Sequence, residues 1–287
     1  MLLSSNNKLI IDGIVIDLLY NIIKMVHTDD LYNLSNCNVS LNSMIHNSSF
    51  IRKTICHIST YVKSKKWDSE NEKWNYVNSR AASGGHLDIC RYSVSNGATY
   101  FKYSLINAAG AGHLDICKYL VSISTLNTDD FNKALINAAR AGHLDICKYL
   151  VSTGTLNTDD LDEALINSTR YRGHLDICKY LVSQGATDYD SALINAARYG
   201  NLDICKYFMS IPSSNLDLDE ALVSAARYSN LDTCKYLVYL GATDYDSALY
   251  YAKSRRHRYK DIYYYLLEQK NMNYKLNGNP LYLQYNK

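Results

Sequence analysis

Several features that would indicate an enzyme, a secreted protein or a membrane protein are missing from this chain of 287 residues. No cluster outside the repeated positions combines a nucleophile, a base and an orienting group, and no glycine-rich loop could cradle a phosphate. No run of about 18 apolar residues could span a bilayer, and the first residues lack the apolar core of a signal peptide. We therefore expect a non-enzymatic protein of the cytoplasm, without a cofactor and without membrane contact.

The chain also lacks a large excess of either charge, since its net charge is only +2. The basic and acidic residues are unevenly distributed along it. Residues 79–247 carry 14 basic and 19 acidic side chains, whereas residues 248–287 carry 8 and 2. A protein that follows a phosphate backbone needs several Lys or Arg side chains to displace counterions, so we expect no nucleic-acid partner. The basic run Arg255–Lys260 is interpreted as the polar end of an array, and a nuclear import signal or nucleic-acid patch is the alternative.

One eight-residue string recurs along the chain. It reads His-Leu-Asp-Ile-Cys-Lys-Tyr-Leu at residues 143–150 and returns unchanged at 113–120 and 174–181. Its cysteine recurs every 27 to 31 residues, which is the period of a small supersecondary unit. Related strings begin at His86, Asn201 and Asn230. The apolar residues of the string fall on one side of a helix, which predicts one amphipathic helix in each repeat.

A second helix is predicted upstream of each string. The segment before His143 contains the paired alanines Ala138 and Ala139, which allow close helix packing, and Gly142 then breaks the chain. Capping-box spacing places one helix start at Asp160 with Glu163, and Asp217 with Glu220 marks another. A single helix pair cannot bury its apolar face, so about seven pairs should stack into an all-α solenoid.

The alanine pair, the repeated string and the Gly-Ala-Thr that follows at Gly185 and Gly241 resemble the ankyrin repeat over residues 76–268. The resemblance implies a protein-binding solenoid. The Thr-Pro-Leu-His opening of that family is absent and the period is shorter than its 33 residues. We therefore expect shortened fingers with little strand.

Four segments follow from this interpretation, with boundaries at residues 62, 78 and 268. Residues 1–62 form a separate helical module, 63–78 a polar junction in which Trp67 and Trp74 pack against the array, 79–268 the repeats and 269–287 a tail.

The N-terminal module resembles an F-box. The string from Ile14 to Ile23, followed by Asp30-Leu31-Tyr32-Asn33-Leu34, carries this resemblance. It implies binding of a Skp-type adaptor of a cullin ubiquitin ligase, by an amphipathic helix in a groove. The residues implied to contact the adaptor are Ile14, Val15, Leu18, Leu19, Ile22, Ile23, Leu31 and Leu34. The alternative is a hydrophobic cap that closes the first repeat of a pure scaffold or inhibitor of a host protein. The combination of both segments is similar to ankyrin proteins of giant DNA viruses, which would place the chain in the host cytoplasm.

Two recurring polar positions receive structural interpretations. Histidine four residues before the cysteine could suggest zinc, but Asn201 and Asn230 replace it in two repeats, which keeps a hydrogen-bonding group and removes a metal ligand. The cysteines lie on the apolar stripe, so we expect buried thiols in a reducing compartment and no metal. The second recurring position is an asparagine in the first helix of each pair, which we expect to hydrogen-bond to the backbone or to a neighbouring repeat. These residues are Asn107, Asn137, Asn167 and Asn195.

Residues just before each interhelical break vary between repeats while the framework does not. In ankyrin proteins this part of the first helix lines the binding surface, so the resemblance implies a cationic, aromatic stripe for an acidic or phosphorylated protein target. The predicted target-binding residues are Arg140, Arg170, Tyr171, Arg198, Tyr199, Arg227 and Tyr228. The alternative is that each Arg only interacts with a helix dipole. The break that contains Tyr171 is one residue longer than the other breaks, so we expect a bulged loop there.

We expect the protein to be a monomer.

Overall fold

The computed structural model describes residues 69–212, 216–254 and 260–276. Within these ranges the chain forms fourteen α-helices and no β-strand. The predicted all-α fold of about seven helix pairs is therefore confirmed from residue 70 onward. The F-box-like module of residues 1–62, and with it every residue expected to contact an adaptor, lies outside the described residues.

The helices alternate between a first and a second helix of each pair. The first helices are α1 (Glu70–Gly84), α3 (Phe101–Ala111), α5 (Thr128–Ala141), α7 (Thr158–Ser168), α9 (Tyr189–Tyr199), α11 (Leu218–Tyr228) and α13 (Tyr245–Ser254). The second helices are α2 (Leu87–Ser95), α4 (Leu114–Ile123), α6 (Leu144–Thr153), α8 (Leu175–Ser183), α10 (Leu202–Met209), α12 (Leu231–Tyr239) and α14 (Lys260–Leu276). The boundaries expected at residues 78 and 268 fall inside α1 and α14.

The chain divides into two compact units between Leu126 and Asn127. In the first unit α1 packs against α2 and α3, and α4 packs against α2 and α3. Trp74 is 6% exposed and its ring lies edge-on to Tyr92, with centroids 5.6 Å apart. Trp74 therefore packs α1 against α2, in agreement with the packing predicted for it, while Trp67 lies outside the described residues.

In the second unit the helices form two layers. The first helices α5, α7, α9, α11 and α13 pack side by side in one layer, which we call the inner row. Each packs against its own second helix, and these second helices pack against one another in the other layer. Consecutive pairs of this unit therefore stack in chain order, as the repeat period predicts.

Buried alanines and larger aliphatic residues pack the two layers together. Ala138 and Ala139 are fully buried where α5 meets its neighbours, and in α6 Ile146, Cys147 and Leu150 are fully buried. All six cysteines of the recurring string are buried free thiols, which confirms their predicted position on the apolar stripe. None of the described helices combines the length and apolarity needed to cross a bilayer.

In four repeats the residue that begins the recurring string packs against the glycine of the preceding repeat; these residues are His113, His174, Asn201 and Asn230. Gly142 ends α5 with φ +91°, and a Cβ atom there would lie 2.4 Å from Cε1 of His174. In the corresponding position Asn201 donates from Nδ2 to the Thr169 carbonyl at 2.6 Å. The predicted hydrogen-bonding role of this position is thus confirmed for Asn201. No group of three or more His, Cys, Asp or Glu side chains in the described ranges is arranged to hold a metal ion.

One helix start was predicted correctly and one was wrong. Asp217 caps α11, and its carboxylate accepts from the Glu220 N–H at 2.9 Å. Asp160 does not cap α7. Asn157, in an extended conformation with φ −99°, is the N-cap, and the helix begins at Thr158, before the predicted start. Asp160 closes this capping box by accepting from the Asn157 N–H at 3.0 Å. Leu161 lies in the first turn of this helix and is 6% exposed.

Candidate protein-interaction surface

The predicted target-binding residues lie at or just beyond the C-terminal ends of inner-row helices. Arg140, Arg198 and Arg227 occupy the last turns of α5, α9 and α11, and all three are exposed. Arg170 and Tyr171 follow the end of α7. Every one of these helix ends belongs to the second unit, so the side chains share one edge of the inner row.

Arg198 is the centre of the contacts on this edge. Its guanidinium carbon lies 4.4 Å from the centroid of the Tyr228 ring and 5.8 Å from that of Tyr199. Its Nη2 also donates to the Tyr228 hydroxyl at 2.5 Å. A guanidinium over an aromatic face gains electrostatic attraction from the ring quadrupole. The tyrosines therefore fix a charged side chain that would otherwise be free to move among rotamers.

The inserted residue of the fourth repeat extends this contact chain. Tyr171 adopts a left-handed conformation with φ +53°, and its side chain is 65% exposed. Its ring lies 5.4 Å from that of Tyr199, centroid to centroid. The local bulge expected from the extra residue is therefore present. Four of the predicted residues, from three consecutive repeats, touch in the order Tyr171, Tyr199, Arg198 and Tyr228.

A fourth aromatic residue, which sequence reasoning missed, completes the edge. Arg227 lies over the ring of Tyr251, with its guanidinium carbon 3.8 Å from the centroid. Tyr251 stands where Asn195 stands in α9, two residues after the shared Ala-Leu. Aligning the last repeat on this Ala-Leu would have found the residue, because a side chain at this position lies next to the helix end of the preceding repeat.

Two predicted residues are not drawn into this chain of contacts. Arg140 donates to Asn137 within its own helix. Arg170 is half-buried, and among the described residues its Nε has no hydrogen-bond partner. We therefore define the Arg–Tyr surface as Tyr171, Arg198, Tyr199, Arg227, Tyr228 and Tyr251.

The charge of the Arg–Tyr surface is not neutralised by neighbouring acids. Among the described residues no carboxylate lies within 4.0 Å of the guanidinium nitrogens of Arg198 or Arg227, since the ion pairs there involve only lysines. A guanidinium carries five N–H donors, and one Tyr hydroxyl accepts from Arg198. Donors therefore remain for a carboxylate or phosphate.

Hydrogen bonds between repeats also form at the starts of the inner-row helices, on the edge opposite the Arg–Tyr surface. Asp162 of α7 accepts from the N–H groups of Thr187 and Asp188 at 2.5 and 3.0 Å, where the next first helix begins. Asp219 makes the same pair of bonds to Thr243 and Asp244. In each case a carboxylate of one repeat binds the backbone N–H groups just before the first helix of the next repeat. This role of the aspartates was not predicted from the sequence.

The recurring asparagines have the structural role predicted for them. Asn195 donates to the Ile166 carbonyl of the preceding repeat at 2.8 Å, and Asn107 donates to Ser79 at 2.8 Å. Asn137 and Asn167 instead donate to carbonyls four residues earlier in their own helices. Both kinds of hydrogen bond were expected.

Comparison with known proteins shows the family to which the chain belongs. A family profile described as "Ankyrin repeats (3 copies)" matches residues 79–162, 105–192, 165–247 and 193–278. The structure resembles the crystal structure of the human ASB11 ankyrin repeat domain, with a TM-score of 0.50 and 20% sequence identity. The alignment covers 67% of this chain and 96% of that one, and at this identity it shows a shared fold. A comparison with curated proteins gave no match. The profile matches extend over more than half of the sequence, and the chain therefore belongs to the ankyrin repeat family.

Proposed function

We propose that this protein binds an acidic or phosphorylated protein through the Arg–Tyr surface. The observation that carries the proposal is the position of Arg198 between Tyr199 and Tyr228. A side chain that is already ordered loses less conformational entropy when a partner binds. Arg and Tyr are also enriched among residues whose truncation costs an interface 2 kcal/mol or more.

The chemistry of the partner follows from the guanidinium groups. Arg presents a planar fork of donors that matches the two oxygens of a carboxylate or phosphate. The tyrosine rings beside it supply apolar area with few rotatable bonds. A patch of acidic or phosphorylated residues on a folded protein or a peptide would satisfy both parts. Helix dipoles also favour an Arg at these helix ends, but a dipole does not require the tyrosines that contact Arg198.

The experiment compares the full chain with a variant in which Arg198, Tyr199, Arg227 and Tyr228 are alanine. We expect the variant to lose capture of acidic and phosphorylated proteins from lysate, measured by quantitative mass spectrometry, while far-UV circular dichroism stays the same. A matched control replaces Lys148 and Lys179, which lie on the second helices, with alanine. It removes the same number of positive charges and should leave capture unchanged. Retained capture by the first variant would leave only the helix-end role for these arginines.

We further propose that residues 1–62 recruit a Skp-type adaptor, which would make the protein a substrate receptor of a cullin ubiquitin ligase in the cytoplasm of a virus-infected host cell. This part is supported by the F-box resemblance of the sequence from Ile14 to Leu34. Its competitor is a pure scaffold or inhibitor in which this segment only caps the first repeat.

Co-purification distinguishes these two roles of the N-terminal segment. Leu18→Asp combined with Ile22→Asp should abolish co-purification with the adaptor and ubiquitination of the captured target without a loss of helicity. Unchanged ubiquitination would reject the receptor role. If the segment is only a cap, deleting residues 1–62 lowers stability and leaves every partner bound.

A further inference from the structure

Three consecutive repeats of the second unit, those of α7, α9 and α11, share a register of acidic, aliphatic and cationic residues in or just after the inner-row helix. In α9, Asp190, Ile194 and Arg198 are spaced by four and lie on one stripe of the helix. Ile194 is only half-buried, so the stripe is open to solvent at its centre as well as at its ends. The neighbouring pairs repeat the register with Asp162, Ile166 and Arg170, and with Asp219, Val223 and Arg227. Ile166 is half-buried like Ile194, whereas Val223 is only 7% exposed.

Charge is therefore segregated between the two edges of the inner row. At the helix starts the exposed charged residues are acidic, as at Glu163 and Glu220, and the one lysine there, Lys133, is paired with Asp129 at 2.6 Å. At the helix ends the charged residues are basic. We call the first the acidic edge; the opposite edge carries the Arg–Tyr surface.

Helix dipoles and caps explain part of this arrangement. Acids at helix starts and cations at helix ends are each favoured by the dipole, and Asp190 also accepts from the Asp217 N–H at 2.8 Å. Neither effect accounts for the half-buried Ile166 and Ile194 between the edges, or for Tyr250, which occupies the same position in α13 and is 73% exposed. These apolar groups remain available to a partner.

We propose that the inner row binds an amphipathic helix of a partner protein whose apolar face has acidic side chains along one flank and basic side chains along the other. The acidic flank would lie on the Arg–Tyr surface and the basic flank on the acidic edge. This inference rests on the proposed function of the Arg–Tyr surface and adds a second contact, between the basic flank of the partner helix and the acidic edge.

The dimensions of the row fit such a helix. The acidic and cationic residues of one stripe are eight residues apart, as Asp190 and Arg198 are, which is about 12 Å along a helix and close to the 10–12 Å diameter of a helix with its side chains. Neighbouring helices in a layer are about 8–10 Å apart. Seven residues of a helix rise about 10.5 Å, so a partner helix lying across the row would present one apolar anchor to each repeat at heptad spacing.

The test uses the full chain and two synthetic helical peptides of equal composition. Both peptides carry leucine at heptad spacing; the bipolar peptide has Glu along one flank and Lys along the other, and the mixed peptide alternates them on both flanks. We expect the bipolar peptide to bind at least ten-fold more tightly in fluorescence anisotropy. Equal affinities, or no binding of the bipolar peptide at about 1 mM, would overturn the inference.

Charge reversal on the protein separates this inference from the proposed function. Glu163→Lys with Glu220→Lys should weaken the bipolar peptide at least ten-fold, and Arg198→Glu with Arg227→Glu should do the same. All four changes together should restore binding, with the peptide turned end for end, as read by energy transfer from a label at its N-terminus. If only the arginine changes matter, the cationic edge acts alone; the inference then fails and the proposed function stands.

Folding controls keep the test decisive. Melting temperature and far-UV circular dichroism are measured for each variant, and the milder pair Glu163→Gln with Glu220→Gln replaces any charge-reversed variant that does not fold. The milder pair should weaken the bipolar peptide by a smaller factor and leave the mixed peptide unaffected. An unchanged affinity for the bipolar peptide would overturn the inference.

Discussion

Gly142 shows how one residue joins two consecutive repeats. Its φ of +91° favours glycine, and the place of its absent side chain is filled by the imidazole of His174 from the next pair. Gly185 has a similar φ of +107°, but nothing lies within 4 Å of its Cβ position. A substitution at Gly185 therefore measures backbone strain alone, whereas a substitution at Gly142 measures strain together with the clash between repeats.

Gly142→Ala should consequently lower the free energy of unfolding more than Gly185→Ala does. Strain alone costs a residue with a side chain about 1–2 kcal/mol in the left-handed region, and the clash with His174 adds to it only at Gly142. Urea unfolding midpoints measure the difference. In a His174→Ala background the extra loss should disappear; equal losses for the two single variants would show that the imidazole does not clamp the glycine.

Burial determines the chemistry of the recurring thiols. It raises the pKa of Cys147 and of Cys205 from 9.0 to about 12, and that of Cys178 to about 11, where a hydrogen bond to Ser168 opposes the effect of burial. These groups stay protonated in the folded chain under conditions where they ionise in the unfolded chain. Burial thus accounts for the predicted packing role of the cysteines and leads us to expect low thiol reactivity.

Stability should therefore be unaffected by these thiols below pH 9 and should fall between pH 9 and 12. The unfolded thiols lose their protons first in that window, and each contributes up to about 1.4 kcal/mol per pH unit. Free energies of unfolding between pH 7 and 10.5 measure the decline, which should become less steep in Cys205→Ala. Iodoacetamide at pH 8.5, mapped by mass spectrometry, should alkylate these cysteines only in denaturant; rapid native labelling would contradict their burial.

Helix α11 ends in a left-handed residue that is not glycine. Its C-cap is Ser229 with φ +71°, where α5 and α9 have Gly142 and Gly200 in the same conformation. The helix therefore stops by the same geometry with a residue that is strained in it. By contrast Ser210, which ends α10, has φ −85° and carries no such strain.

Ser229→Gly should stabilise the protein by about 1 kcal/mol, because relief of the left-handed strain exceeds the entropy that glycine adds to the unfolded chain. Ser210→Gly is the matched control and should lower stability slightly. Thermal melts and urea titrations of both variants measure the two signs. A loss of stability in Ser229→Gly would mean that the serine side chain contributes more than its backbone conformation costs.

The helices themselves could be predicted well from the sequence, and the contacts between repeats only in part. Periodic apolar residues and the Gly142 break identify a helix pair locally, so the pairs were found. The start of α7 was misplaced because Asn157 and Asp160 both suit a cap, and in the structure they form one capping box with Asn157 at the cap position. The bonds from Asp162 to the next repeat were not foreseen because their partners are backbone groups 25 and 26 residues away.

For the molecule as a whole, the repeat period predicted which residues share an edge of the array. Tyr171, Arg198, Tyr199 and Tyr228 were grouped by their place before each break, and the structure brings them into contact. Arg140 was grouped by the same rule but bonds within its own helix. Tyr251 was missed because the last repeat departs from the shared pattern. Register along a repeat thus predicts proximity, while side-chain direction depends on neighbours that the period does not specify.

The central claim is that the Arg–Tyr surface binds an acidic or phosphorylated protein and is not needed for the fold. The most direct measurement compares, for the variant with Arg198, Tyr199, Arg227 and Tyr228 all replaced by alanine, the proteins captured from lysate and the melting temperature. We predict that acidic and phosphorylated proteins disappear from the captured set while the melting temperature falls by only a few degrees, because exposed side chains contribute little to stability. An unchanged captured set would contradict the claim, and so would loss of the folded state.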